Sequence, residues 1–240
     1  MKQLPVVLVH GAANSSGVWS VWRERLEARG HRTLAPDLRG HGRAPGNDLP
    51  RAVMADYVED VSRSARDLPE PPVVIGWSMG GLVALMYGAL YPTRGVIALG
   101  PSMPAQLLES PSLEPLTPGV FGPEAYGIFD RSCLVQPTMP DLDPDETRIA
   151  LASLGPESSM ARQDRKRGIF IDPDAISGSV LVVAGERDDI MTPGTCRRLS
   201  EFLSGRFLEF EGASHWGLVL NRRALDRHLP DVFQWVEALG

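Results

Sequence analysis

The segment "VIGWSMGG", residues 74–81, sets a β-branched run against Gly76, follows it with Trp77, Ser78 and Met79, and closes on Gly80 and Gly81. The run "PVVIG" at 72–76 reads as a short strand buried on both faces, and "MGGLVALMYGAL" at 79–90 as a buried helix. Ser78 therefore occupies the turn from strand to helix. A turn this sharp holds its central residue in strained backbone geometry, and neighbouring segments must pass where a Cβ would stand in the way. Glycines two residues before and after Ser78 remove those Cβ atoms. The outcome is a serine raised above the end of a strand, beside helix N-terminal N–H groups that attract negative charge. A bare G-x-S-x-G is a weak pattern; the third glycine, the preceding strand and the following helix make it specific, with Ser78 as candidate nucleophile.

Similar apolar runs recur at 5–9, 32–35, 95–99, 179–184 and 206–210. Between them the spacing becomes helical, as in Val53, Tyr57, Val58, Val61, Ala65 and Leu68. This alternation predicts an α/β fold, a doubly wound and mostly parallel sheet with crossover helices. Leu229, Val232, Phe233, Val236 and Leu239 predict a last helix with Pro230 in its first turn. Residues 101–174 break the rhythm with many prolines, scattered methionines and the charged run Arg162 to Arg167, and no strand is expected there. The expected organisation is a core of residues 1–100 and 178–240, with 101–177 inserted as a small helical cap that includes a helix at 144–154.

The 240 residues suffice for one large domain with a substantial core, and 43% hydrophobic with 22% charged is ordinary for a soluble protein. A net charge of −6 leaves no electrostatic footprint for nucleic acid and no polybasic membrane patch. A small, apolar partner is the expectation. The two cysteines, Cys133 and Cys196, make neither a disulfide framework nor a paired metal spacing. The N-terminal "MKQLPVVLVHG" has too short an apolar run for a signal peptide, so the chain is read as cytoplasmic.

A serine nucleophile needs oxyanion donors, a base and an orienting acid. The first strand runs into "HGAANSSGVW", whose turn leaves backbone N–H groups free at the C-terminal edge of the sheet. Ala12 and Met79 are the expected donors, with Ala13 as the fallback. The run "LVVAGERDDIMTP" places Asp188 just after a strand at the same edge, with Glu186 and Asp189 as competitors. After the strand at 95–99, "GPSMPAQLLE" offers no carboxylate before Glu109, which favours Asp188. Of five histidines, His31 opens a strand, His228 sits beside a helix start, and His10 and His41 belong to early turns. His215, in "EGASHWGL" after the last strand, is the candidate base. The order Ser78, Asp188, His215 differs from both protease orders.

The motifs "VHGA", "APDLRGHG", "GWSMGG", "GERDDIMTP" and "GASHWG", in this order at strand ends, resemble the α/β-hydrolase superfamily, especially its small serine esterases. The resemblance implies Ser78 as nucleophile, His215 as base, Asp188 as its orienting acid, and Ala12 and Met79 as oxyanion donors. It also implies that Asp37, His41 and their neighbouring glycines hold structure. Relatives resembling haloalkane dehalogenases or epoxide hydrolases need an aspartate where Ser78 stands. Those resembling hydroxynitrile lyases rely on a lysine near the histidine, and no lysine follows Lys166.

The expected activity is cleavage of a small carboxylic ester or thioester through an acyl-enzyme, with no metal and no cofactor. Trp77, Trp216, Leu218 and Met103 are the expected pocket wall, apolar and adaptable. Two alternatives stay open. One is a ligand-binding protein that turns over little or nothing on the same scaffold. The other keeps the triad for C–C bond hydrolysis, perhydrolysis or acyl transfer.

Overall fold

The computed structural model describes residues 3–46 and 48–240. In chain order the elements are β1 (Val6–Val9), α1 (Ser20–Glu27), β2 (Thr33–Leu34), α2 (Met54–Ala65), β3 (Val73–Trp77), α3 (Met79–Leu90) and β4 (Gly95–Leu99). There follow β5 (Val120–Phe121), α4 (Pro144–Ser153), β6 (Glu157–Ser158), α5 (Ser159–Arg167), β7 (Ser179–Gly185), α6 (Pro193–Phe202), β8 (Arg206–Phe210), α7 (Gly217–Leu220) and α8 (Arg222–Glu237). Among the described residues a six-stranded sheet runs in the order β2-β1-β3-β4-β7-β8, every pair parallel.

Strand residues alternate between two apolar layers, which explains why the central strands β1, β3, β4 and β7 are nearly continuous apolar runs. Val6, Leu8, Ile75, Ile97, Leu181 and Val183 face Trp22 and Leu26 of α1 and Leu225, Leu229 and Phe233 of α8. Val7, Val9, Val74, Val96, Val180 and Val182 face Tyr57 and Val61 of α2, Leu82 and Leu85 of α3, and Leu199 of α6. After β1 the chain steps outward to β2, then returns to β3 on the other side of β1. This reversal opens a crevice at the carboxyl ends of β1 and β3, where open α/β sheets take their ligands.

Two expectations are corrected. Residues 101–177 do hold strands: β5 and β6 form an antiparallel pair, each two residues long and so too short for a period to show. Pro230 lies in the interior of α8, not in its first turn. The helix starts earlier because the Asn221 side chain accepts the Ala224 N–H at 3.0 Å, and Ala224 and Leu225 extend the buried face backwards. The expected helix at 144–154 is α4, capped by Asp143, which accepts N–H groups of Asp145 and Glu146. No helix among the described residues is long and apolar enough to cross a membrane.

Around Ser78 the glycines are set by close backbone passage. A Cβ on Gly80 would collide with the carbonyl oxygens of Val9 and His10, and one on Gly76 with the Gly80 carbonyl. Since backbone cannot give way as a side chain tip can, Gly80→Ala is expected to destabilise the fold by about 3 kcal/mol or more. A urea unfolding curve checks this.

Candidate active site

Ser78 links β3 to α3 at φ 57° and ψ −120°, a conformation costing roughly 1–3 kcal/mol in a residue other than glycine. Three backbone hydrogen bonds impose it: Ser78 N–H donates to Leu99 O at 2.9 Å, while Ser78 O accepts Gly81 and Ser102 N–H, each at 3.0 Å. Met79 begins α3, so its N–H is among those a helix leaves unpaired.

His215 follows β8 and is buried, with Nδ1 2.7 Å from Asp188 Oδ2. The other Asp188 oxygen accepts the N–H groups of Ile190 at 2.9 Å and Met191 at 2.8 Å. Asp188 is thus buried, fixed and fully occupied, whereas its competitors Glu186 and Asp189 are exposed. With Nδ1–H donating to a carboxylate, Nε2 is left as the acceptor nitrogen. Ser78 and His215 line one cavity, and among the described residues no hydrogen bond joins Ser78 Oγ to the imidazole. Trp77 ties β3 to the histidine loop: its Nε1–H donates to His215 O at 3.0 Å, and its ring lies 5.2 Å from that of His215 and 4.9 Å from Trp216.

Ala12 also lines the cavity, and its N–H has no partner among the described residues. Ala13 does not serve as a second choice, because its N–H donates to Glu157 Oε2 at 3.0 Å. Glu157 is the residue that sequence reasoning missed. It comes from β6, is buried, and also accepts the Tyr57 hydroxyl at 2.5 Å and the Ser158 N–H at 2.7 Å. His41 Nε2 stands 3.4 Å from it, and His41 Nδ1 faces Arg39 O at 3.0 Å. The Nε2 contact with Glu157 lies within ion-pair distance without hydrogen-bond geometry.

Burial alone would push the Glu157 carboxyl up, but His41, the Tyr57 hydroxyl and the Ala13 N–H together bring it down to about 2. Burial likewise disfavours charge on His41, and Glu157 outweighs it, raising His41 above its ordinary value. The neighbouring His10 is pushed down to about 4 by burial and by His41. It is neutral, with Nδ1–H donating to Gly11 O and Nε2 accepting the Leu38 N–H. These two histidines therefore hold the turn after β1 in place. No local pattern marks Glu157, since its partners lie on α2 and in the turns after β1 and β2.

The cavity has a volume of about 460 Å³, with core residues on one side and residues of 101–177 on the other. Trp77, Trp216 and Met103 contribute to its wall. Leu218 does not. It sits in the core on α7, its carbonyl accepting Trp22 Nε1–H at 2.9 Å. No group of three His, Cys, Asp or Glu side chains among the described residues could hold a metal ion.

The sequence profile of the Alpha/beta hydrolase family matches residues 6–227. The chain belongs to this family. Among curated α/β-hydrolases it is 37% identical over 130 residues to a monoacylglycerol lipase of Mycolicibacterium smegmatis, a match covering 51% of this chain and 46% of the relative. It is 34% identical over 165 residues to a pimeloyl-[acyl-carrier protein] methyl ester esterase of Yersinia pseudotuberculosis, covering 67% and 56%. The match thus spans about half the length of these relatives. Among solved structures, polyneuridine aldehyde esterase superposes with a TM-score of 0.75 at 20% identity, over 96% of this chain and 99% of that one. A thermophilic esterase from Thermogutta terrifontis superposes at 0.73 and 21% identity, over 98% and 90%. The α/β-hydrolase fold expected from the motifs is the fold observed.

The Glu157–His41 pair gives a pH signature. His41 binds its proton more tightly folded than unfolded, so its contribution is complete below its ordinary value of 6.5 and declines as pH rises through the raised folded value. Removing one partner of a buried pair costs about 3–5 kcal/mol. Glu157→Gln is expected to lower stability by about that much and to flatten its decline above pH 6.5, measured by chemical denaturation from pH 6 to 9.

Proposed function

We propose that this chain is a serine hydrolase cleaving small carboxylic esters or thioesters through an acyl-enzyme. The observation that carries the reading is the buried 2.7 Å bond from His215 to Asp188 at a cavity whose wall holds the strained Ser78. Ser78 Oγ attacks the acyl carbonyl while its proton passes to His215 Nε2. The N–H groups of Ala12 and Met79 receive the oxyanion, each worth about 2.7–4 kcal/mol of transition-state stabilisation. Collapse breaks the bond to the leaving group, which takes the proton from His215. Water then attacks the acyl-enzyme, His215 accepts its proton, and the acid leaves as Ser78 is restored. Asp188 holds the imidazole in the tautomer that frees Nε2 and stabilises the imidazolium. Every step uses the chain's own groups and water.

The lipase and methyl ester esterase names among the relatives support ester cleavage, and the largely apolar cavity supports an apolar acyl group. Hydrogen bonds between nucleophile and base often tighten only with substrate in place, which accommodates the open Ser78–His215 contact.

A fluorophosphonate probe is expected to label Ser78 in the native protein. Ser78→Ala should lower kcat on p-nitrophenyl esters by roughly 10³-fold or more, and Asp188→Asn by about 10⁴-fold, by disturbing the imidazole tautomer. Full activity in Ser78→Ala, or no labelling, would overturn Ser78 as the nucleophile, whereas slow single turnover with tight retention of product would favour a binding protein on a hydrolase scaffold.

A further inference from the structure

The cavity wall is largely apolar; besides Ser78, His215, Asn14 and Thr138, its polar groups gather at one corner, where its positive charge also lies. Arg165, on α5, lines the cavity half-buried, and its Nη1 donates to Ser102 Oγ at 3.2 Å. Ser102 N–H in turn donates to the Ser78 carbonyl, so the guanidinium stands two hydrogen bonds from the candidate nucleophile. A guanidinium carries five N–H donors, and the Ser102 bond uses one. Among the described residues Arg165 forms no ion pair, in contrast to Arg39, which meets Asp56, Glu59 and Asp60. Beside it the Tyr126 hydroxyl is buried within reach of the Arg165 guanidinium, and among the described residues it has no acceptor for its own proton. Burial raises the Tyr126 hydroxyl above its ordinary value, and Arg165 opposes that rise. The hydroxyl is therefore a donor next to a cation. Lys166, also at the cavity and exposed, adds a second positive charge at the mouth.

An unpaired charge and an unpartnered donor held together in an apolar wall are both costly without an acceptor. A planar guanidinium fork with an adjacent hydroxyl matches the two oxygens of a carboxylate. We propose that the Arg165–Tyr126 corner binds a carboxylate carried by the substrate, so that the preferred esters bear an anionic group a short spacer away from the scissile carbonyl. This rests on the hydrolase reading and names the substrate class for the same site. The position of Ser102 beside Ser78 is what makes the spacer short.

Two substrate series test it. Monomethyl esters of four- to eight-carbon dicarboxylic acids are compared with methyl esters of monocarboxylic acids of equal length, which puts the charge on the acyl side. Acetate esters of ω-hydroxy acids, compared with those of simple alcohols, put it on the alcohol side. One series is expected to show a preference in kcat/KM of roughly tenfold or more for the anionic member, as charge-assisted hydrogen bonds give. That preference should shrink with added salt and fall towards one in Arg165→Met, with Arg165→Lys between. Independently of turnover, calorimetric titration of Ser78→Ala with free dicarboxylates should show binding, and titration with a phosphate monoester weaker binding. Equal rates on anionic and neutral esters in the wild type at low salt, with no dicarboxylate binding, would overturn the carboxylate site and leave the hydrolase reading standing. Dicarboxylate binding with no ester turned over and no probe labelling would do the reverse. If Arg165→Met does not fold, the wild-type preference and its salt dependence still decide.

Discussion

The backbone at Ser78 cannot relax. A non-glycine residue at φ 57° reverts to an ordinary conformation unless its surroundings forbid it, and here two hydrogen bonds with the segment at the end of β4 and one from the first turn of α3 do so. The start of α3 packs against β3 and the end of β1 only because Gly76 and Gly80 lack side chains. The sheet order follows the same constraint, because β1 must lie beside β3 for its terminal carbonyls to pass over Gly80. The acid and histidine loops then leave β7 and β8 at the same edge, since every strand is parallel.

Much of this was legible in the residues. The central strands β1, β3, β4 and β7 are buried on both faces, and such strands announce themselves as nearly unbroken apolar runs. The candidates Ser78 and Asp188 were legible because each follows such a run, and His215 because it follows the edge strand β8 at the same edge. The competition between Asp188 and the exposed Glu186 and Asp189 was not decided by composition. It was decided by a tight turn in which the Ile190 and Met191 N–H groups draw one carboxylate inward.

What stayed hidden has physical reasons. Two-residue strands have no period, and the start of α8 depended on a single side-chain cap at Asn221 that outweighed the signal of Pro230. Leu218 was misplaced because its side depends on one turn of helix closing directly after His215. Glu157 lay in the segment that resembles nothing specific, and its meaning exists only in contact with Tyr57, His41 and Ala13. Pairings so distant along the chain leave no local trace.

The carboxylate of Glu157 joins β6 to the turn that carries Ala12 and Ala13. A surface strand is free to shift when only apolar contacts hold it down. Here, displacing β6 would draw a buried carboxylate away from His41 and release the Ala13 N–H in the same motion. On the proposed mechanism that turn supplies half of the oxyanion site, so the placement of Ala12 depends on a residue far along the chain.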